Sequence, residues 1–156
     1  MMLIRLTYFS RSRVNLRAGC RDSGIDEILA ASTANNLRDD ITAVLICDRC
    51  WFAQVLEGTE SRVSITFERI LRDPRHCDVT LVTMQAEAAR RYPDFAMLGV
   101  VRSEDNGDLF RHYGEDESFD PRQMRADRLC DLIEEVVRRH TTGGPPWMTR
   151  SNTNAA

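Results

Sequence analysis

At 156 residues the chain suffices for one domain with a real core and is too short for a receptor joined to a full enzymatic output domain. A formal charge of −3, with no basic block among its 29% charged residues, argues against a nucleic-acid ligand. Its five cysteines, at 20, 47, 50, 77 and 130, do not suggest a disulfide framework, and no apolar run is long enough to cross a bilayer, so the expectation is a soluble, cytoplasmic protein without a membrane partner.

Residues 2–9 alternate as a strand, with Ile4, Leu6 and Tyr8 on one face and Leu3, Arg5 and Thr7 on the other. From Gly24 the spacing turns helical, and Ile25, Ile28, Leu29, Ser32 and Asn36 share a stripe that begins apolar and ends polar. Residues 41–47 and 51–57 read as an antiparallel hairpin turning at Asp48-Arg49. After Gly58, Thr59 is placed to cap a helix with the stripe Val63, Phe67, Ile70 and Leu71, which Asp73-Pro74 stops. Strands follow at 79–84 and 97–101. The order β-α-β-β-α-β with a fifth strand predicts a ferredoxin-like α/β sandwich.

Residues 103–119 are polar and acidic and read as a linker without a core, with at most a short helix around 109–112. Asp120, Pro121 and Gln123 carry the signals of a helix start, opening a helix over 121–140 with the stripe Leu129, Leu132, Ile133, Val136 and Val137. That stripe fits packing on the same domain as well as an oligomer or partner interface. From Thr141 onward, Gly143-Gly144-Pro145-Pro146 and small polar residues predict a flexible tail. The expected units are therefore 1–102, a linker and amphipathic helix at 103–140, and a tail at 141–156.

Polar side chains fall on faces that otherwise read as core. Tyr8 and Ser10 continue the Ile4/Leu6 face, Gln54 sits between Phe52 and Leu56, and Ser32 and Asn36 end the first helical stripe. Burying such groups is costly unless something bonds to them, so their convergence between helices and sheet would make a polar pocket in an apolar setting. A flat heteroaromatic ligand such as an isoalloxazine suits it, because carboxamides match both donors and acceptors. Taken singly, Tyr8 is a satisfied core tyrosine, Gln54 a sheet glutamine bonded to backbone, and Asn35-Asn36 a helix C-cap.

The residues resemble the BLUF family, sensors of blue light using a flavin, over roughly the first two thirds of the chain. The resemblance runs through Tyr8-Phe9-Ser10, Ser32-x-x-Asn35-Asn36 with Asp40-Ile41-Thr42, and Phe52-x-Gln54-x-Leu56-Glu57-Gly58. It continues through Asp73-x-Arg75-His76, Arg90-Arg91-Tyr92 and Phe95-x-Met97. It implies Tyr8 as electron and proton donor to the photoexcited flavin and Gln54 as the switch bridging the two, left rotated or tautomerised. It also implies Asn36, Asn35 and Arg75 as flavin-binding residues, Ser32 and Ser10 as contributors behind them, and Met97 as the methionine beside the switch. The favoured cofactor is FAD, with FMN an alternative. Phe95 stands where many members carry Trp, which removes an indole N–H, and Ala43 replaces a common Gly.

Other signals are weaker. Cys47-x-x-Cys50 flanks a strand turn and lacks the further ligands a metal needs, Trp51 reads as a packing or interface aromatic, and His76 and His112 as surface or capping histidines. An acylphosphatase-like use of Arg75 or Arg13 lacks its glycine-rich loop. The resulting expectation is a receptor without catalytic turnover that self-associates and signals to a separate protein, the alternatives being a flavin-dependent redox enzyme or a light-inert flavin scaffold.

Overall fold

The computed structural model describes residues 1–14, 23–114 and 119–142, and the backbone of 149–151. One sheet holds β1 (Leu3–Ser12), β2 (Thr42–Cys47), β3 (Trp51–Thr59), β4 (His76–Glu87), β5 (Met97–Val101) and β6 (Thr149–Ser151). Helices α1 (Ser23–Asp39) and α2 (Glu60–Arg72) lie on one face, and α3 (Gly107–Tyr113) and α4 (Ala126–Thr141) on the other. The strand order is β4-β1-β3-β2-β5-β6, with β1 and β3 antiparallel at its centre and β5 parallel to β2. This is the expected ferredoxin-like layout, extended by one strand.

Strand alternation divides the core in two. Ile4, Leu6 and Tyr8 of β1 join the cluster under α1 and α2, while Phe9 joins Val44, Ile46 and Val55 on the opposite side. Because helices cover both faces, β2 is buried along its whole length and reads as a continuous apolar run. A Cβ at position 99 of β5 would collide with the Leu29 side chain, and the glycine there lets α1 settle on the sheet.

The end of α1 is closed by Asp40, which adopts a left-handed φ of 52°, while the Ile41 N–H donates to the Asn36 carbonyl at 2.9 Å. That is a Schellman closure with Asp40 in the role glycine usually takes. The asparagines are therefore not the cap, and the Asn36 side chain is left for other work. In α2, Val63 and Thr66 are buried and Leu71 is 52% exposed, so the inward stripe is rotated from the apolar one expected. Strand β4 has 12 residues, twice the expected span, and two register shifts against β1. Asp78 takes a φ of 51° at one of these bulges.

The C-terminal third departs most from expectation. Within 103–119, a 3-10 turn (Glu104–Asn106) leads into α3, and Leu109, Phe110 and Phe119 are buried with Leu129, Leu132, Ile133 and Val136 of α4. The segment is thus part of a second core: its few apolar residues all turn toward the sheet while acidic neighbours such as Asp108 pair outward with Arg139. Helix α4 starts at Ala126 because Asp120 accepts the Arg122 N–H on its carboxylate and the Gln123 N–H on its carbonyl, making a turn of the expected first helical turn. Where a tail was expected, residues 149–151 pair antiparallel with β5; 143–148 and 152–156 lie outside the described residues. Trp51 is buried by packing, edge-on to Phe9 and with the guanidinium groups of Arg11 and Arg122 over its ring.

Glu57 of β3, 1% exposed, fixes the loop that feeds β5. Its two carboxylate oxygens accept the backbone N–H groups of Arg91 and Tyr92 at 2.9 Å each, and Arg5 stands 3.8 Å away. Replacing Glu57 by Leu would strand two amides, while Arg5 keeps its closer partner Glu87, so Glu57→Leu is expected to cost ~3 kcal/mol. The measurement is the urea midpoint at unchanged slope, and Glu57→Gln, which keeps one acceptor oxygen, should lose less.

Candidate functional site

Facing positions on the central strands create the site. Tyr8 pairs with Gln54 across β1 and β3, and Gln54 with Leu45 across β3 and β2, so all three side chains project toward α1 and α2. The fully buried Tyr8 hydroxyl donates to Oε1 of Gln54. Nε2 of Gln54 in turn faces the Met97 sulfur at 3.9 Å. Burial drives the Tyr8 hydroxyl far above the usual phenol range, with smaller contributions from Cys47 and Asp73, so Tyr8 is a neutral donor at any ordinary pH.

A cavity of about 80 Å³ adjoins this pair between α1 and α2. Of the residues singled out in the sequence, Ser32, Asn35, Asn36, Gln54 and Arg75 line it. Tyr8 and Met97 are bonded to Gln54 behind that wall. Asn36, 3% exposed, donates through Nδ2 to the Ala96 carbonyl at 2.7 Å, tying α1 to the start of β5. Arg75 is held by Asp73, whose carboxylate it grips through Nε and Nη2, and those bonds pull the Asp73 pKa below the usual carboxylate range.

Ser10 is also buried but faces His76, its Oγ lying 2.8 Å from Nδ1. His76 is not the surface histidine expected. It lines the cavity, its ring 4.8 Å from that of Phe52 and 6.3 Å from that of Tyr8. Burial lowers its pKa to about 4, which keeps it neutral.

Thr66 and Arg69 of α2 were also missed and line the same cavity. The Thr66 hydroxyl is buried without a hydrogen-bond partner. The available signal was a threonine three residues after Val63, on the helix's inward face. Phe95 packs on the far side of the sheet, edge-on to His140 of α4 at 5.5 Å. Ala43 is buried, its N–H donating to the Phe95 carbonyl at 3.0 Å. Cys47 is buried and Cys50 exposed, and among the described residues no group of three or more His, Cys, Asp or Glu could hold a metal.

The family model described as BLUF, sensors of blue-light using FAD, matches residues 3–98. The chain belongs to the BLUF family and is a flavin-using blue-light sensor domain. Among its curated relatives is the blue light- and temperature-regulated antirepressor BluF of Escherichia coli (strain K12), 31% identical over 68 residues, or 44% of this chain and 17% of that one. Another is photoactivated adenylate cyclase subunit beta of Euglena gracilis, 36% identical over 96 residues, 58% of this chain and 10% of that one. The chain thus spans less than a fifth of either. Among solved structures, the BLUF protein BlrB in its dark state is 29% identical, with a TM-score of 0.71 over 88% of this chain and 96% of that one. BlsA in its photo-activated state, at 24% identity, shares the fold, with a TM-score of 0.74 over 87% and 95% of the two chains. Among the described residues no helix is long and apolar enough to cross a membrane.

His76 makes the flavin-free domain acid-sensitive. Its pKa is about 4 when folded against an ordinary 6.5, so the unfolded chain binds more protons between those values and stability falls as pH is lowered through that window. Urea midpoints measured from pH 7 to 5 should decline in the wild type, and His76→Gln, which cannot titrate, should flatten the decline.

Proposed function

We propose that Tyr8 and Gln54 form a light-driven hydrogen-bond switch beside a flavin held by Asn36, Asn35, Arg75, Ser32, Ser10 and Gln54, with Met97 as the outlet. The observation that carries this reading is the buried chain from the Tyr8 hydroxyl through the Gln54 carboxamide to the Met97 sulfur, set against a cavity lined by amide, hydroxyl and guanidinium groups. The partnerless Thr66 hydroxyl in that cavity fits a ligand with polar atoms. When bound, the isoalloxazine supplies the blue absorption, an excited electron acceptor, and donors and acceptors along its pyrimidine edge. The family description favours FAD; FMN carries the same ring.

The chain's own residues define the switch. Tyr8, neutral and shut off from water, can release its proton only toward Gln54 or the ligand. A carboxamide has unlike ends, so rotation of Gln54 exchanges which group faces Tyr8, whereas tautomerisation leaves Oε1 in place and turns it from acceptor into donor. The phenol can accept as well as donate and tolerates the exchange. The Met97 sulfur accepts only, so turning Oε1 toward it removes its hydrogen bond and leaves two acceptors in contact. Met97 starts β5, and two residues before it Phe95 touches α4, so movement of Met97 is passed through β5 to the C-terminal helices. Phe95 offers no hydrogen bond of its own and acts by packing. The output then goes to a separate protein, without catalytic turnover in this domain.

Absorption spectra in darkness, under blue light and after dark return test this. The expected result is a small reversible red shift of an oxidised flavin band that Tyr8→Phe and Gln54→Ala abolish while flavin stays bound. Bleaching by reduction would support a redox enzyme, and purification without flavin after refolding with FAD would overturn the assignment.

A further inference from the structure

Resting on the flavin switch described above, we propose that β6 is a light-releasable cover on the outer edge of β5, and that the edge it leaves bare is where an extended segment of the output protein pairs. Output is then a strand exchange, in which the partner takes the place that residues 149–151 of this chain hold.

Both faces of β5 are packed. Met97 lies in the core that holds Tyr8, while Leu98 and Val100 lie in the core under α4. The inner edge is fixed as well, by four residues paired with β2. That ladder is extended at either end, where the Ala43 N–H donates to the Phe95 carbonyl and the Arg102 N–H to the Cys47 carbonyl. The outer edge is held far less. Among the described residues β6 alone borders it, a strand of three residues set against Met97, Leu98 and Gly99 that leaves Val100 and Val101 unmatched. By comparison, β1 and β3 pair along nine residues. Short pairings at a sheet border open at the low end of a protein's local stability, which a switched contact requires.

Met97-Leu98-Gly99-Val100-Val101 carries no charge, no proline and no register shift against β2, so once bare it lacks the devices by which strand borders refuse other chains. The opposite border, β4, has two bulges and the left-handed Asp78. The border at β5 is therefore the one suited to accept a strand, and β6 shows the orientation, antiparallel. Backbone N–H and C=O groups there supply affinity for an extended, proline-free segment. The switch acts on this ladder directly, because the Met97 sulfur faces Nε2 of Gln54 while its backbone stands opposite Ser151. With the β2 side anchored at both ends, displacement of Met97 falls on the β6 pairing.

The test is hydrogen–deuterium exchange on the full flavin-loaded chain, dark and illuminated, with the flavin red shift recorded on the same samples. Illumination should speed exchange of the 97–101 and 149–151 amides by about tenfold while β1 and β3 stay protected. Combining Thr149→Pro, Arg150→Pro and Ser151→Pro removes every N–H that β6 can offer. That variant should show the fast β5 exchange already in darkness, gain nothing further in light and keep its red shift. A synthetic peptide of residues 147–153, at millimolar concentration, should slow β5 exchange in the variant and in illuminated wild type. The proposal is overturned if the red shift appears without faster exchange in β5, if the proline variant exchanges in darkness like wild type, or if the peptide leaves β5 unprotected. Absence of a red shift would instead remove the switch reading, and the light-driven release with it.

Discussion

The Tyr8 hydroxyl reaches no water, and its acceptor is one end of Gln54, whose other end reaches a methionine sulfur. Such a pair survives in an apolar interior only if the surrounding packing holds both partners within bonding reach, because losing one leaves the other desolvated and unpaired. Much of the nearby architecture serves that demand. Facing register on β1 and β3 sets the two side chains side by side, Phe67 packs on the Tyr8 ring, and Gly99 lets α1 close over the sheet.

The same strands carry a second core on their other face, and this is where the C-terminal third belongs. Helices α3 and α4 bury Leu109, Phe110, Leu129, Leu132, Ile133 and Val136 against β2, β3 and β5. Strand β5 thus has one side in each core: Met97 faces the Tyr8–Gln54 pair, while Leu98 and Val100 face α4. Glu57 braces the loop ahead of it, and Asn36 grips the carbonyl of Ala96. A small change at Gln54 therefore meets a strand anchored at its entry and shared between two packed layers, an arrangement that favours discrete over graded displacement.

Most of the fold and the centre of the site were legible because period-two alternation assigns each strand residue to a face. That pattern placed Tyr8, Gln54 and Ser10 on the helix side, and the helical stripe of α1 carried Asn36 to the same place. What stayed hidden depended on features without periodic signal. The bulges of β4 decide where His76 points, and a pattern search begins that strand only at Val79. Thr66 was passed over because the apolar stripe of α2 was followed to Leu71, which is exposed. The stretch 103–119 is acidic on average, and average polarity masks three apolar side chains that face inward. Asp120 carries helix-start chemistry but spends it on a turn, a choice between two local hydrogen-bond patterns that tertiary packing makes.

Strand β4 also bears on colloidal behaviour. It is the long outer strand of the sheet, with one row of backbone groups unpaired by any described neighbour, and such borders tend to recruit other chains into fibrils. Its two bulges, with Asp78 in a left-handed conformation, break the regular hydrogen-bond spacing that a recruited strand would need. On the opposite border the short β6 occupies the free side of β5. The irregularity that aims His76 inward thus also discourages templated aggregation, so straightening β4 for the sake of stability would trade away solubility.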